Sequence, residues 1–350
     1  MKIALDISPI STKSTSNHKV RGVGKYISIL HDNLQKYDQK NEYIFLENPK
    51  EKNYKVDLVH YPYLDPFFVT FPIIKKQKTI ITVHDLIPIA HKTHFPPGVK
   101  GNISWLVNRR ILKSSDAIIT DSVASSRSVE NYVGISSNKV KHVYLGISEV
   151  FQKLNISKEE KERIRKKYSV QDNFFLYVGD VTWNKNLPTL VEAVKKANVN
   201  LVMVGKALVD EYDKSNVWNK DRVFVEKNTD SKLFNKLGFV DERDLVALYN
   251  MATGVIMPSK DEGFGLPVLE GMSCGAPVIV SRKGSLPEVA GDAGVYIEEG
   301  NVESIAEALR KLSSNEEFQK KQSLLSLKQA REFSIEKMIK DTVAVYQSIL

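Results

Sequence analysis

At 350 residues the chain exceeds what one hydrophobic core usually organises, and its 42% hydrophobic and 26% charged residues exclude a mainly disordered protein. A net charge of +8 points to anionic partners, and the single cysteine, Cys274, excludes an internal disulfide and a thiolate metal cluster. No stretch reaches about 18 uninterrupted apolar residues, and the opening MKIALDISPI is too short and polar for a secretory leader, so a cytoplasmic protein is expected.

Short β-branched runs alternate with amphipathic helical patterns, which is the grammar of parallel sheets with crossover helices. In the first half the expected strands are KIALDI (2–7), EYIFL (42–46), VDLVHY (56–61), TIITVH (79–84), AIITD (117–121) and VKHVYL (140–145). Between the first two, GKYISILHDNL puts Tyr26, Ile27, Leu30 and Leu34 on one helical face, and Ser122 is placed to cap a helix over VASSRSVENYV. The second half restarts with NFFLYVGD (173–180), then a helix in which Leu187, Leu190, Val191 and Val194 recur at i, i+3, i+4 and i+7. Strands are expected at NLVMVG (200–205), RVFVE (222–226), KLGFV (236–240), GVIMPS (254–259), PVIVS (277–281) and GVYI (294–297).

Two doubly wound domains are therefore expected, with a charged, strand-free stretch between them at 146–173. The boundaries are set at 1–155 and 156–333, followed by a helix over 334–350 whose broad apolar face suits packing back on the first domain. Ligands of open α/β sheets bind at the carboxyl ends of strands, so the expected site is a cleft between two facing sheets.

The most informative strand end is KDEGFGLPVLEGMSCG. Gly263 and Gly265 permit a tight turn and Pro267 suits a first helical turn, so the amides of Phe264, Gly265 and Leu266 are placed to meet a phosphate or sugar oxygen. Glu262 lies on the lip of that turn. Glu270 lies one helical turn further among apolar neighbours, where a carboxylate needs a partner such as the two hydroxyls of a ribose. RGVGKY sets Gly22 and Gly24 between the first strand and helix, and TVHDL ends a strand at His84. Cys274 is expected to be a buried, inert thiol. Basic clusters at Lys75, Lys76 and Lys78 and at Arg109, Arg110 and Lys113 give the first half a cationic surface, for which peripheral contact with a membrane face is the minority reading. No basic stripe is interleaved with aromatics, so nucleic acid is not expected as a partner.

The stretch 258–309, preceded by LGFVDERDLVALYNMATGVIMPS, resembles the donor-binding region of the retaining, metal-independent glycosyltransferases of family 4. The resemblance extends to FLYVGDVTWNKNLPTLVEA, TVHDLIP, TDSVASSRSV and RGVGKY, strongly in the second half and loosely in the first. It implies the GT-B fold, an α/β architecture of two Rossmann-like domains: an N-terminal acceptor-binding and a C-terminal nucleotide-sugar-binding one. By this resemblance Glu270 binds the donor ribose, Glu262 contacts the transferred sugar, the 264–266 amides hold sugar and diphosphate, and Phe239 and Val240 meet the base. Gly179, Asn184 and Lys185 fall in the diphosphate loop, and His84 contacts the sugar or the surroundings of the attacking hydroxyl. The family commonly adds an arginine in that loop; this chain has Asp180 and Asn184 at the two places, with Lys206, Lys260 and Arg21 as substitute candidates.

The implied reaction is hexosyl transfer from a nucleoside-diphosphate sugar, with no cofactor and no metal, to a glycan or lipid-linked acceptor. The GFGLPVLE and SLPEV wording leans toward GDP-mannose, with a UDP-hexose next. The competing readings are a non-catalytic nucleotide-sugar-binding subunit, a glycoside hydrolase using Glu262 and Glu270, and a two-lobed binding protein.

Overall fold

The computed structural model describes residues 1–11, 22–48, 55–72 and 77–349. The chain forms two compact units: Met1–Gly146 with Phe333–Leu350, and Ile147–Glu332. The sequence expectation set the corresponding divisions at 155/156 and 333/334.

Unit 1 runs β1 (Lys2–Asp6), α1 (Gly22–Tyr37), β2 (Glu42–Leu46), β3 (Leu58–Tyr61), β4 (Lys78–Val83), α2 (Ile87–Ala90), α3 (Gly98–Lys113), β5 (Ala117–Thr120), α4 (Val123–Val129) and β6 (Val140–His142). These strands pair in parallel in the order β2-β1-β3-β4-β5-β6. Ser122 caps α4 by accepting from the Ser125 amide at 3.0 Å, but the helix does not run on regularly, continuing from Glu130 to Gly134 as a π-helical turn.

Unit 2 runs α5 (Lys158–Tyr168), β7 (Phe174–Val178), α6 (Leu187–Ala197), β8 (Asn200–Val204), α7 (Lys220–Asn228), β9 (Phe234–Leu237), α8 (Glu242–Met251), β10 (Gly254–Met257), α9 (Leu266–Ser273), β11 (Val278–Ser281), α10 (Leu286–Ala290), β12 (Gly294–Ile297), α11 (Val302–Ser314) and α12 (Glu316–Ala330). The parallel order is β12-β11-β10-β7-β8-β9. Every residue of β10 and β11 is buried, as helices on both faces of a parallel sheet require.

One expected strand is wrong. RVFVE lies inside α7, where Asp221 in the first turn and Lys227 in the last complement the helix dipole and only Val225 is buried. The expected KLGFV strand (236–240) is displaced: β9 is Phe234–Leu237, whose Asn235 and Lys236 are tolerated because β9 is an edge of its sheet.

The last helix, α13 (Ile335–Gln347), belongs to unit 1 and packs on α1. A buried polar chain pins it there. Tyr346 Oη meets His60 Nδ1 at 2.7 Å, His60 Nε2 meets Thr82 Oγ1 at 2.7 Å, and Tyr26 Oη meets the same hydroxyl at 3.0 Å. Burial, and then the nearby His84 charge, push His60 down to about 3, so it stays neutral with a hydroxyl at each nitrogen.

Candidate functional site

In unit 2 the chain order reverses between β7 and β10, since β8 and β9 extend one way and β11 and β12 the other. Loops after strands flanking such a switch point diverge and leave a crevice. Lys185 comes from the loop after β7 and Glu262 from the loop after β10. Lys185 Nζ lies 2.7 Å from Glu262 Oε1 and 2.8 Å from Oε2, with side chains only 16% and 11% exposed. Ser259, itself fully buried, donates through Oγ to Glu262 Oε2 at 3.0 Å. The two residues expected to meet the sugar and the leaving diphosphate thus form a mutually held, half-sequestered ion pair.

The loops are stitched together around this pair. Asn184, buried, donates from Nδ2 to the Asp261 carbonyl at 3.1 Å, and its own carbonyl accepts from the Lys260 amide at 2.7 Å. Its Oδ1 accepts from Thr182 at 2.8 Å, so this donor-binding candidate serves the loop architecture. Behind Glu262 runs the β11–α10 loop. A Cβ at Gly284 would meet Glu262 O at 2.4 Å and its nitrogen at 2.5 Å, and φ there is +55°, so only glycine lets that backbone approach. Next to it Ser285 donates from N to Glu262 O at 3.0 Å and from Oγ to Phe264 O at 2.7 Å. Ser259, Gly284 and Ser285 carry the site without standing out in the sequence; for the last two the signal was a glycine and a serine immediately before the LPEVA helix.

Gly265, at φ +99°, is the N-cap of α9 and no side chain caps that helix. Within α9, Glu270 is not a solvated helix position: it is 4% exposed, and Tyr249 of α8 donates to its Oε2 at 2.8 Å. Cys274 closes the helix rather than sitting inside it, and burial, then the Glu270 charge, push its thiol up to about 12. After β9, Phe239 is largely exposed and Val240 is buried.

The loop after β7 carries no guanidinium. Asp180 is exposed, and Gly179 continues the ladder by donating to Val204 O at 2.9 Å. Of the substitute cations, Lys206 lies over the Phe239 ring at 5.7 Å and Lys260 over Trp183 at 4.9 Å, while Arg21 lies outside the described residues, as do Lys75 and Lys76. Among the described residues no group of three or more His, Cys, Asp or Glu is placed to hold a metal ion.

In unit 1, Gly22 and Gly24 both fall within the first turn of α1 rather than in a loop before it. His84 follows β4, and Asp121 follows the adjacent β5. His84 Nδ1 lies 2.7 Å from Asp121 Oδ2 and Nε2 lies 3.1 Å from the Pro62 carbonyl. A carboxylate and a carbonyl both accept, so these partners favour the doubly protonated ring. Ser125 Oγ donates to the His84 carbonyl at 2.8 Å, and the Tyr26 ring stands edge-on at 4.9 Å. Burial alone would lower this histidine, but the Asp121 charge and hydrogen bond, aided by Asp85, raise it above its ordinary 6.5.

The raised value sets a sign. The ion pair contributes stability in full below the unfolded value and loses it as pH rises through the folded one. The groups facing the ring are Asp121 from β5, Asp85 beside it, Tyr26 from α1 and neutral His60 from β3. In Asp121→Asn the burial effect is left less opposed, so an NMR titration of the imidazole should find the midpoint above the ordinary 6.5 in the parent and lower in the variant. Equal midpoints would show that Asp121 does not hold the proton.

Comparison with known proteins gives two family matches: residues 158–324 match the model described as "Glycosyl transferases group 1", and residues 43–150 match "Glycosyltransferase Family 4". The chain is 28% identical over 263 residues to the serotype-specific mannosyltransferase WbdA of Escherichia coli, covering 73% of this chain and 32% of that protein. It therefore spans about a third of the length of that relative. To the O-antigen chain mannosyltransferase B of Escherichia coli it is 27% identical over 276 residues, covering 77% of this chain and 70% of the relative. The crystal structure of Anabaena Alr3699/HepE in complex with UDP and glucose superposes with a TM-score of 0.73 at 15% identity, covering 99% of this chain and all of that one, and has the same GT-B fold. No helix among the described residues is long and apolar enough to cross a membrane. With both family matches falling on its two α/β units, the chain belongs to the group 1, family 4 glycosyltransferases.

Proposed function

We propose that the chain transfers a hexose from a nucleoside-diphosphate sugar to a hydroxyl of a glycan or lipid-linked acceptor, with retention at the anomeric carbon and without a metal. The observation that carries this reading is the Lys185–Glu262 pair at the switch point of the unit 2 sheet. Glu262 engages two of the three ammonium donors, which leaves the third for a phosphate oxygen of the donor. Lys185 and the 263–266 amides would stabilise charge as it develops on the diphosphate, while Glu262 faces the sugar. Glu270 would accept from the ribose hydroxyls, and Phe239 and Val240 would meet the base. On unit 1, both His84 nitrogens are engaged by Asp121 and the Pro62 carbonyl, so His84 would act on a substrate through its charge and not as a base.

The bond from the anomeric carbon to the departing phosphate oxygen breaks as the bond to the acceptor oxygen forms on the same face, and the acceptor's proton passes to that phosphate oxygen. Mannose from GDP-mannose is the favoured donor, supported by relatives named as mannosyltransferases; a UDP-hexose is next, supported by the neighbour solved with UDP and glucose. The test is turnover of GDP-mannose and UDP-glucose with a mannose-terminated glycan in the presence of EDTA, with the new linkage read by NMR. An α-linked product is expected. A β-linkage, or loss of turnover with the chelator, would refute retention or metal independence respectively.

A second reading has its own observation. The absence of an arginine at 180 and 184 leaves leaving-group stabilisation to Lys185, as in a non-catalytic subunit that binds the nucleotide sugar. Nucleotide binding without turnover on any tested acceptor would favour it.

A further inference from the structure

The strand β7, Phe-Phe-Leu-Tyr-Val, flanks the switch point of unit 2 and is built for burial, but Tyr177 brings a hydroxyl into it. Tyr177 is fully buried, so that hydroxyl needs a partner inside the protein. It finds one three residues further on, donating from Oη to the Asp180 carbonyl oxygen at 2.6 Å. Burial, then the charges of Glu262 and Asp180, hold the phenol well above its ordinary value, so it keeps its proton and stays a donor. Two glycines clear the space for this contact. A Cβ at Gly179 would meet Tyr177 Oη at 2.8 Å, and one at Gly205, just past the end of the neighbouring β8, would meet the Gly179 carbonyl oxygen at 2.2 Å. With Gly179 N donating to Val204 O at 2.9 Å, the turn after β7 is fixed from its strand side.

The consequence falls on the next amide. In a trans peptide the carbonyl and the following N–H point in opposite directions. The Asp180 carbonyl is drawn inward to Tyr177, so the Val181 N–H is turned outward, away from the body of the sheet. Val181 is only 3% exposed, yet its amide has no acceptor among the described residues. A buried amide is nearly always paired, so this one is set for an acceptor that arrives with a ligand. An oxyanion suits it, because the amide stands four residues before Lys185 in a loop that carries no guanidinium. We propose that Tyr177 is a positioning residue: by holding the Asp180 carbonyl it turns the Val181 amide onto a phosphate oxygen of the donor, where the loop lacks an arginine. The proposal rests on the nucleoside-diphosphate reading of unit 2, and the experiment keeps the two failures apart.

The full chain and Tyr177→Phe, which keeps the ring and removes only the hydroxyl, are titrated with GDP and UDP and with guanosine and uridine. The Val181 amide is followed by NMR in protein labelled with nitrogen-15 valine, its resonance assigned by its loss in Val181→Ile. In the parent the diphosphate should move the Val181 amide proton downfield, and the nucleoside should leave it in place. This is read without any variant. Tyr177→Phe should bind the diphosphate about tenfold more weakly, treat the nucleoside as the parent does, and lose the downfield shift. A tyrosine that only supports the core would lower the melting temperature and leave the diphosphate affinity and the shift intact, which would overturn the proposal. Equal weakening of diphosphate and nucleoside would overturn it too. If the parent binds a diphosphate and Val181 does not respond, the proposal alone falls; if the parent binds neither GDP nor UDP, the reading beneath it falls and takes the proposal with it.

Discussion

Glu262→Ala is expected to lower kcat by about 100- to 1,000-fold while leaving the affinity for the nucleoside diphosphate within about threefold. The reason lies in what the carboxylate holds. Glu262 is 11% exposed and anchored by Lys185 and Ser259, with its own backbone fixed by Ser285, so its position is set before any substrate arrives. Removing it takes away the group proposed to face the sugar but leaves the Lys185 ammonium for a diphosphate. Lys185→Ala should also depress kcat strongly. Because the two side chains share both hydrogen bonds, the double variant should be far less impaired than the product of the single effects. Steady-state rates for the three variants, with calorimetry of nucleotide binding, check this; an unchanged kcat in Glu262→Ala would remove the residue from the reaction.

Replacing Glu270 should have the opposite signature. Each hydrogen bond from a ribose hydroxyl to a buried carboxylate contributes about 1.5 to 3 kcal/mol, so Glu270→Ala should weaken nucleotide binding by roughly 10- to 100-fold or more. The substitution also removes the acceptor of the buried Tyr249 hydroxyl, at a cost of about 1 to 3 kcal/mol in stability. Tyr249→Phe separates the two effects: it removes the hydroxyl and keeps the carboxylate, so it should retain most of the nucleotide affinity. If Glu270→Ala and Tyr249→Phe weaken binding equally, the carboxylate acts by supporting the core and not by touching the ribose.

The apolar runs that cross the middle of each sheet were legible because both faces are covered, as in Phe174, Phe175, Leu176 and Tyr177. The edge strand β9 was legible only in part, the expected KLGFV overlapping it at Lys236 and Leu237, because Phe-Asn-Lys-Leu has no need of two buried faces. The glycine turn and its two glutamates could be picked out because turn chemistry is local: Gly265 does take a positive φ, and a carboxylate amid apolar neighbours was bound to need a partner. What those glutamates touch was hidden by distance along the chain. Lys185 is 77 positions from Glu262, Tyr249 is 21 from Glu270, and Asp121 is 37 from His84, each reached through strand order and not through any spacing. Asp121 in particular reads as an unremarkable residue before a helix cap, yet its carboxylate faces His84 and raises it above its ordinary value.

Binding of a nucleoside diphosphate by unit 2 across the 262–270 turn is tested most directly by isothermal titration of the full chain against GDP, UDP and ADP and their hexose conjugates. Saturable binding of one base's diphosphate and its sugar is expected, GDP first, with the heat sharply reduced in Glu270→Ala. Absence of binding to all three bases, in protein shown to be folded by its melting transition, would contradict it.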